Sequence, residues 1–310
     1  MWTPALGRCF YLFFLLTISP ILYYNRIMNW QDKIKESLGK PYYEKSSVLL
    51  YNVNCIEALK KLPRNCIDLI LTSPPYNIGK EYERILPIED YVDWSSSWLE
   101  EIPSVLKENG AFWYNLGYVP YKDSARALPL VYLLWDKVKM YLMQEIVWNY
   151  GAGVACKKAL SPRNEKWLWY VNNKDSYTFN LDAIRDPDVK YPNSKKNGKL
   201  RCNTLGKNPS DVWQIAKVTS GANRSSEERT EHPAQFPLDL IDRITLGFSN
   251  KSEVLLDPFM GSGTTAISAL KNGRNVIGFE IREDYCELQA KRIDSFLLEQ
   301  SQNLFAEFAS

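Results

Sequence analysis

The chain has 310 residues, 45% of them hydrophobic, which is enough for one large domain or two small ones with a sizeable core. Its formal net charge is only +2, so bulk charge does not by itself indicate a nucleic-acid-binding protein. The six cysteines include no C-x-x-C pair, and with a single histidine, His232, there is no metal-ligand cluster of familiar spacing. We therefore expect a reduced, cytoplasmic protein without a metal site.

The first 27 residues differ from the rest of the chain. They contain the apolar run CFYLFFLLTISPILYY, whose 16 residues fall short of the roughly 20 that a membrane-spanning helix needs. No small-residue cleavage pattern follows it, as a signal peptide would require. We expect the native protein to begin at Met28, with a membrane anchor as the alternative. N-terminal sequencing of the native protein distinguishes the two.

From residue 28 to residue 150, hydrophobic runs and helical periodicities alternate, which is typical of an α/β protein with a mostly parallel sheet. The same alternation returns in the last third of the chain. The predicted strands cover 48–53, 67–71, 111–117, 141–151, 253–259 and 275–281. The predicted helices are one carrying Ile56, Leu59 and Leu62 on one face, and others over 88–110, 124–140, 237–249, 263–273 and 282–297.

The region 151–231 interrupts this alternation, being rich in Asn, Lys, Ser and Pro with only short apolar pieces such as KWLWYV. Residues 151–230 hold 15 Lys and Arg against 8 Asp and Glu, whereas the remainder of the chain is net acidic. We interpret 151–231 as an inserted, loop-rich region that carries a positive surface for a polyanion. A solvated loop with surplus lysines is the alternative.

One candidate site lies where the second strand ends, in the sequence IDLILTSPPY. Adjacent prolines cannot continue a strand's hydrogen bonding, and each proline drives the preceding residue out of the helical region. Thr72, Ser73, Pro74, Pro75 and Tyr76 therefore form a stiff tip that presents a hydroxyl, a backbone carbonyl and an aromatic face. A simple strand-ending turn would show the same pattern.

A second candidate site lies in VLLDPFMGSGTTAISALKNGRNVIGFEI. A strand ends at Asp257, a glycine-rich turn with Gly261 and Gly263 opens a helix, and the next strand ends at Glu280. Glycines allow a ligand to approach the backbone, and an acid at the next strand end can bind a ribose diol. A dinucleotide-binding oxidoreductase has a related pattern, but the acid before the turn and Phe259 better suit a compact cofactor without a pyrophosphate.

Taken together, TSPPY and DPFMGSGTT resemble the amino-methyltransferases of DNA, which use S-adenosylmethionine to methylate exocyclic nitrogens. The tetrapeptide precedes the cofactor turn, an order similar to that of the beta class. The segments NCIEALKKLP, GKNPSDVWQI and HPAQFPLDLI are also similar, so the resemblance covers most of 47–297. It implies a Rossmann-like sheet with catalytic residues in 28–150, an inserted target-recognition region in 151–231 and the cofactor-binding half in 232–310.

The resemblance also implies roles for individual residues. Ser73 and the Pro74 carbonyl would hold the target amine, and Tyr76 would stack on a base flipped out of the duplex. His232 is either a catalytic base or part of a structural turn, the latter being favoured. Asn54 stands where the family usually has an acid. The residues expected at the cofactor are Asn54, Thr72, Asp257, Pro258, Phe259, Gly261, Ser262, Gly263, Glu280, His232, Pro233 and Phe236.

In this family Ser before the two prolines goes mostly with N4 of cytosine, so we expect cytosine methylation in double-stranded DNA, with N6 of adenine as the alternative. An RNA or protein methyltransferase and a silent DNA-binding protein are further alternatives. The resemblance also implies pairing with a restriction endonuclease. The residues predicted to contact DNA are Arg163, Lys195, Lys196, Lys199, Arg201, Lys207 and Arg224.

Overall fold

A computed structural model describes residues 29–151, 153, 155–220 and 226–309, with side chains as far as residue 303. The chain divides into two units, Met1–Lys40 and Pro41–Ser310. In the first unit, helix α1 (Trp30–Leu38) begins after Asn29, whose side chain accepts a hydrogen bond from the Asp32 amide, and ends at Gly39 with a φ of 79°. The prediction for residues 1–27 lies outside the described residues.

The second unit contains the predicted alternation of strands and helices. Its helices are α2 (Cys55–Lys61), α3 (Ile88–Leu99), α4 (Ile102–Val105), α5 (Val131–Leu134), α6 (Leu238–Phe248), α7 (Thr264–Lys271) and α8 (Glu283–Ala309). Its first strands are β1 (Tyr43–Lys45), β2 (Val48–Asn52), β3 (Ile67–Thr72), β4 (Leu106–Leu116), β5 (Tyr118–Tyr121), β6 (Ala125–Pro129) and β7 (Tyr141–Asn149). The others are β8 (Asn164–Val171), β9 (Lys195–Lys196), β10 (Lys199–Leu200), β11 (Val212–Gln214), β12 (Val254–Asp257) and β13 (Asn275–Glu280).

Nine strands form one sheet in the order β1-β2-β13-β12-β3-β4-β8-β7-β11. Strands β2, β13, β12, β3 and β4 are parallel neighbours, whereas β8 runs antiparallel to both β4 and β7. Every residue of β3 and of β12 is buried, because helices cover both faces of a parallel sheet. The fold is therefore a mostly parallel, Rossmann-like α/β sheet, as the sequence predicts.

Two predicted helices are partly wrong. The helix expected over 88–110 ends at Leu99, and after the short α4 the chain is extended from Leu106 onward. Its predicted end at Asn109-Gly110 is inside strand β4, where Gly110 is tight: an added Cβ would lie 2.8 Å from the Asp68 carbonyl oxygen. In the helix expected over 124–140, Ala125–Pro129 instead pairs with Tyr118–Tyr121 as a hairpin, because tertiary pairing overrides local propensity.

The region 151–231 differs from an insertion made only of loops. It contributes β8 and β11 to the central sheet, and within the apolar piece KWLWYV the residues from Trp167 to Val171 are the buried part of β8. Trp113 of β4 stacks on Trp169 of β8 and on Trp213 of β11, so this region completes the core on one side of the sheet. The loop-rich parts are the segments between β7 and β8 and between β8 and β11.

Metal-binding groups, membrane-spanning helices and the state of the cysteines can be described for residues 29–309 apart from 152, 154 and 221–225. No group of His, Cys, Asp and Glu side chains there has the arrangement of a metal site. No helix of that part is both long and apolar enough to cross a bilayer. The cysteines that it includes, Cys55, Cys66, Cys156, Cys202 and Cys286, are free thiols.

Candidate active site

A cavity of about 700 Å³ opens at the edge of the sheet where the parallel strands β2, β3, β12 and β13 end. Strand ends converge at one edge of a parallel sheet, which places the two predicted motifs side by side. The predicted residues that line the cavity are Asn54, Ser73, Pro74, Pro75, Tyr76, His232, Pro233, Phe236, Asp257, Pro258, Phe259, Gly261, Ser262 and Glu280. Thr72 and Gly263 are not among its lining residues, and both act indirectly.

The tip after β3 is fixed by hydrogen bonds from outside it. Tyr91 of α3 donates its hydroxyl to the Pro75 carbonyl at 2.8 Å. Among the described residues, no hydrogen bond is donated to the Pro74 carbonyl. The tip therefore presents the Pro74 carbonyl as an unoccupied backbone acceptor beside the half-buried Ser73 side chain.

Ser73 belongs to an oriented series of hydroxyl groups. Its Oγ donates to the Tyr76 hydroxyl at 2.8 Å. Tyr76 has one proton, which it donates chiefly to Asn115 Oδ1, with Glu165 Oε2 at 3.3 Å as a second, weaker acceptor. Because the Ser73 proton points to Tyr76, the lone pairs of Ser73 Oγ are available to an amine in the cavity. Burial raises the pKa of Tyr76, with the Glu165 charge as a second cause, so its hydroxyl stays protonated.

The Tyr76 ring is packed against Gly117, just after β4. A Cβ at Gly117 would lie 2.7 Å from both Cδ2 and Cε2 of that ring. The Gly117→Ala substitution must therefore displace the ring into the cavity. We expect a lower single-turnover rate for the methyl transfer that the sequence resemblance implies, with unchanged cofactor affinity by calorimetry. The exposed Asp123→Ala on the next turn is the control, and full activity in Gly117→Ala would contradict this role of the ring.

Asp257, at the end of β12, is buried and receives three hydrogen bonds. Thr72 donates to Oδ1 at 2.7 Å, the Phe259 amide donates to the same oxygen at 3.1 Å, and Thr265 donates to Oδ2 at 2.7 Å. Burial nevertheless raises the pKa of Asp257 to about 6. Thr72 thus supports the site through Asp257 rather than by lining the cavity.

Glu280 and the glycine-rich turn hold each other in place. Glu280 Oε2 accepts from the Gly261 amide and Oε1 from the Arg282 amide, both at 3.0 Å, while burial raises the pKa of this carboxyl. Gly261 has a φ of 52°, and an added Cβ would lie 3.0 Å from His232 Nε2. Gly263, with a φ of 78°, precedes α7 and packs on Gln289, so its role is conformational.

The surroundings of His232 favour the structural turn over the catalytic base. The Ala234 amide donates to its Nδ1 at 3.2 Å, and its ring lies between those of Tyr82 and Tyr285. Burial lowers the pKa of His232 to about 4, so the imidazole is neutral at physiological pH. A neutral ring among aromatic rings forms an apolar wall of the cavity.

Asn54 has a second task besides lining the cavity. Its Oδ1 accepts from the Ile56 amide at 2.9 Å and so caps the N-terminus of α2. Its Nδ2 group is the remaining donor, a polarity opposite to that of the carboxylate that the family usually has at this position.

The aromatic floor of the cavity comes from Phe259, which contacts Trp94 and Trp98 of α3 edge-on.

Sequence reasoning missed several residues that line or border the cavity. Asn115, in the last part of β4, could have been found from its position near a strand end. Glu165 and Lys217 carry no local signal, because β8 is antiparallel and Lys217 follows the edge strand β11. Their Oε1 and Nζ atoms are 2.5 Å apart.

Those residues predicted to contact DNA that the structure describes do not line this cavity. Lys195, Lys196 and Lys199 are exposed on the two-stranded hairpin β9–β10, and Arg201 follows it. Lys207 forms an ion pair with Asp186 at 3.1 Å. Arg163 lies just before β8, where its Nη1 donates to the Pro162 carbonyl. Arg224 lies outside the described residues.

Known proteins are similar to this chain in sequence and in fold. Residues 67–292 match the family of DNA methylases, and the chain belongs to that family. It is 56% identical over 272 residues to the type II methyltransferase M.ScaI of Streptomyces caespitosus, with 88% of each chain covered. It is 33% identical over 250 residues to the DNA adenine methyltransferase YhdJ of Escherichia coli, covering 78% of this chain and 81% of the relative.

Solved structures agree in fold. The PvuII DNA methyltransferase, described as cytosine-N4-specific, aligns with a TM-score of 0.63 at 21% identity over 81% of this chain and 88% of that one. A putative DNA modification methylase of Thermus thermophilus, solved in complex with S-adenosyl-L-methionine, aligns with a TM-score of 0.56 at 22% identity, covering 81% and 96%. The protein is therefore a DNA methyltransferase of the amino-methylating family.

Proposed function

We propose that this DNA methyltransferase transfers a methyl group from S-adenosylmethionine to N4 of a cytosine flipped out of double-stranded DNA. The observation that carries the proposal is the oriented series from Ser73 to Tyr76 beside the free Pro74 carbonyl. These two acceptors suit the two N–H bonds of an exocyclic amine. The cavity of about 700 Å³ has room for a base next to a cofactor.

The residues at the strand ends fit the cofactor. Glu280 would receive the ribose hydroxyls and the Asp257 carboxylate the methionine amino group. Gly261, which lines the same cavity, supplies the positive φ that the turn between them requires. Phe259 and Trp94 offer aromatic faces, which favour a nearby cation. When bound, S-adenosylmethionine supplies an electrophilic methyl group on a positive sulfur atom.

The protein's part in the reaction is positioning. The lone pair of an exocyclic amine is delocalised into the ring, and hydrogen bonds from both N–H groups to Ser73 Oγ and the Pro74 carbonyl draw the nitrogen toward tetrahedral geometry. The two prolines keep these acceptors fixed, and such orientation can contribute roughly 7–11 kcal/mol. The Tyr76 ring, with Gly117 behind it, provides the stacking face.

The lysine hairpin β9–β10 is proposed to bind DNA phosphates. Changing Lys195, Lys196 and Lys199 together to glutamine should weaken DNA binding and lower the slope of log K against log salt by about 0.9 for each phosphate that is no longer neutralised. Fluorescence anisotropy over a salt series measures this slope. The matched control changes the exposed Lys60, Lys61 and Lys251, and an unchanged slope in the hairpin variant would place the DNA elsewhere.

The name of the 56% identical relative, a type II methyltransferase, supports a place in a restriction-modification system, with a restriction endonuclease as functional partner. A protein with that role should protect DNA from cleavage at the sites it modifies. Expression of the methyltransferase followed by digestion of the host DNA with a panel of endonucleases tests this protection.

The reaction is tested by incubating unmethylated DNA with labelled S-adenosylmethionine and identifying the methylated nucleoside by mass spectrometry. We expect N4-methylcytosine. N6-methyladenine is the second candidate, favoured by the identity to the adenine methyltransferase of Escherichia coli, and its appearance would overturn the base assignment while keeping the site. Absence of both products would overturn the proposed reaction.

A further inference from the structure

A charged pair that the reaction described above does not use lies in the wall of the same cavity. Glu165, the second residue of β8, and Lys217, after β11, both line it, and their Oε1 and Nζ atoms are 2.5 Å apart. The two side chains are only 13% and 22% exposed. Removing an ammonium group this far from water is costly, so its remaining donors require partners.

Two aromatic rings and the Glu165 carboxylate hold the Lys217 ammonium in one place. Its Nζ lies 3.8 Å from the centroid of the Tyr150 ring and 5.4 Å from that of Trp148. The other oxygen of Glu165 lies 3.3 Å from the Tyr76 hydroxyl, which shares its proton between this carboxylate and Asn115. The ammonium has three donors, of which Glu165 takes one and the aromatic face covers another. No other described residue accepts a hydrogen bond from Lys217, so within this part of the chain a third donor is available to a ligand in the cavity.

The position of this donor is defined relative to Ser73. Ser73 Oγ contacts Tyr76, Tyr76 contacts Glu165, and Glu165 contacts Lys217, so the ammonium is the far member of a continuous series. Consider a base whose amine is held at Ser73 and whose ring stacks on Tyr76. The end of its hydrogen-bonding edge farthest from the amine then faces Lys217. In cytosine the acceptor farthest from N4 on that edge is the carbonyl oxygen O2.

We propose that Lys217 donates a hydrogen bond to O2 of the flipped cytosine and thereby selects cytosine over adenine. The inference rests on the proposed N4-cytosine reaction and names the residue that reads the base. An adenine with its N6 at Ser73 presents C2–H at the corresponding position, which gives the third donor of the ammonium no acceptor on the base. Glu165 acts as a positioning residue, since it holds the ammonium and balances its charge.

The test pairs a change in the protein with a change in one atom of the base. Duplexes carry either cytosine or 2-thiocytosine at the target position, because sulfur is a weak hydrogen-bond acceptor. In single turnover the wild-type enzyme should methylate 2-thiocytosine at least about tenfold more slowly than cytosine. This factor corresponds to the loss of one hydrogen bond to a charged group. In the doubly substituted Glu165→Gln/Lys217→Met enzyme, which keeps the pair neutral, the two bases should react at similar rates.

Two further variants separate this role from general damage. Lys217→Arg retains donors and should retain most of the discrimination, whereas Lys139→Met, at an exposed lysine outside the cavity, should leave it at the wild-type value. S-adenosylmethionine affinity by calorimetry verifies that each variant is folded. The same preference for cytosine in the double variant and in the wild type would overturn the proposal. Adenine methylation by the wild-type enzyme would instead overturn the proposed reaction, a result read from the product itself.

Discussion

Replacing Ser73 with alanine is expected to lower the methylation rate by about 10²- to 10³-fold, the loss typical of removing one group that stabilises a transition state. The substitution removes one of two acceptors for the target amine and leaves the Pro74 carbonyl in place. It also frees the Tyr76 hydroxyl, which keeps Asn115 and Glu165 as partners, so the cavity should retain its shape. Single-turnover methylation with labelled S-adenosylmethionine measures the rate.

The control for this prediction is binding rather than activity. The dissociation constant of Ser73→Ala for S-adenosylmethionine should equal that of the wild type, because Ser73 makes no hydrogen bond to the cofactor turn. Ser124→Ala, at an exposed serine outside the cavity, should show the wild-type rate. A Ser73→Ala enzyme with a methylation rate within a few-fold of the wild-type rate would show that the Pro74 carbonyl alone positions the amine.

Replacing Asp257 with asparagine is expected to weaken S-adenosylmethionine binding by about 10- to 100-fold, since a hydrogen bond to a charged group contributes about 1.5–3 kcal/mol. The fold should survive, because the asparagine Oδ1 can still accept from Thr72 and the Phe259 amide, and the Thr265 hydroxyl can rotate to accept from Nδ2. Isothermal titration calorimetry measures the affinity, and a wild-type value in this variant would place the methionine amino group elsewhere.

The same carboxyl predicts how cofactor binding depends on pH. Burial raises the pKa of Asp257 to about 6, so the free protein loses the negative charge as the pH falls through 6. Affinity for a cofactor with a positive amino group should fall with it. His232, whose pKa burial lowers to about 4, does not titrate in this range. The Asp257→Asn variant should show a much flatter profile between pH 5 and 7.

The free energy of unfolding should fall as the pH rises, whereas the cofactor affinity should rise with the pH. The pKa of Asp257 in the folded protein is above the 3.8 of an ordinary aspartate, so its ionised form is destabilising in the fold. This cost is absent below pH 4, grows as the pH rises from about 4 to about 6, and is fully present above that, reaching about 3 kcal/mol. Urea unfolding of the cofactor-free protein should show this decline in the wild type and not in Asp257→Asn.

The fold class and the two halves of the site follow from the amino-acid pattern alone. The runs ending at Thr72, Asp257 and Glu280 are buried parallel strands, and parallel strands place their carboxyl ends at one edge. Ser73 and Gly261 could therefore be assigned to one site although 188 positions separate them. Proline and glycine fix backbone geometry locally, so such motifs can be interpreted without a structure.

Which other side chains face the base depends on the three-dimensional packing of the chain. Glu165 and Tyr76 are 89 positions apart and Lys217 and Glu165 are 52 apart, and no local pattern marks any of these pairs. They meet because β8 runs antiparallel between β4 and β7 while β11 adds to the edge, a pairing that depends on the tryptophan core around Trp113. Contacts of this kind come from sheet topology and packing between distant segments, and the amino-acid pattern within each segment does not encode them.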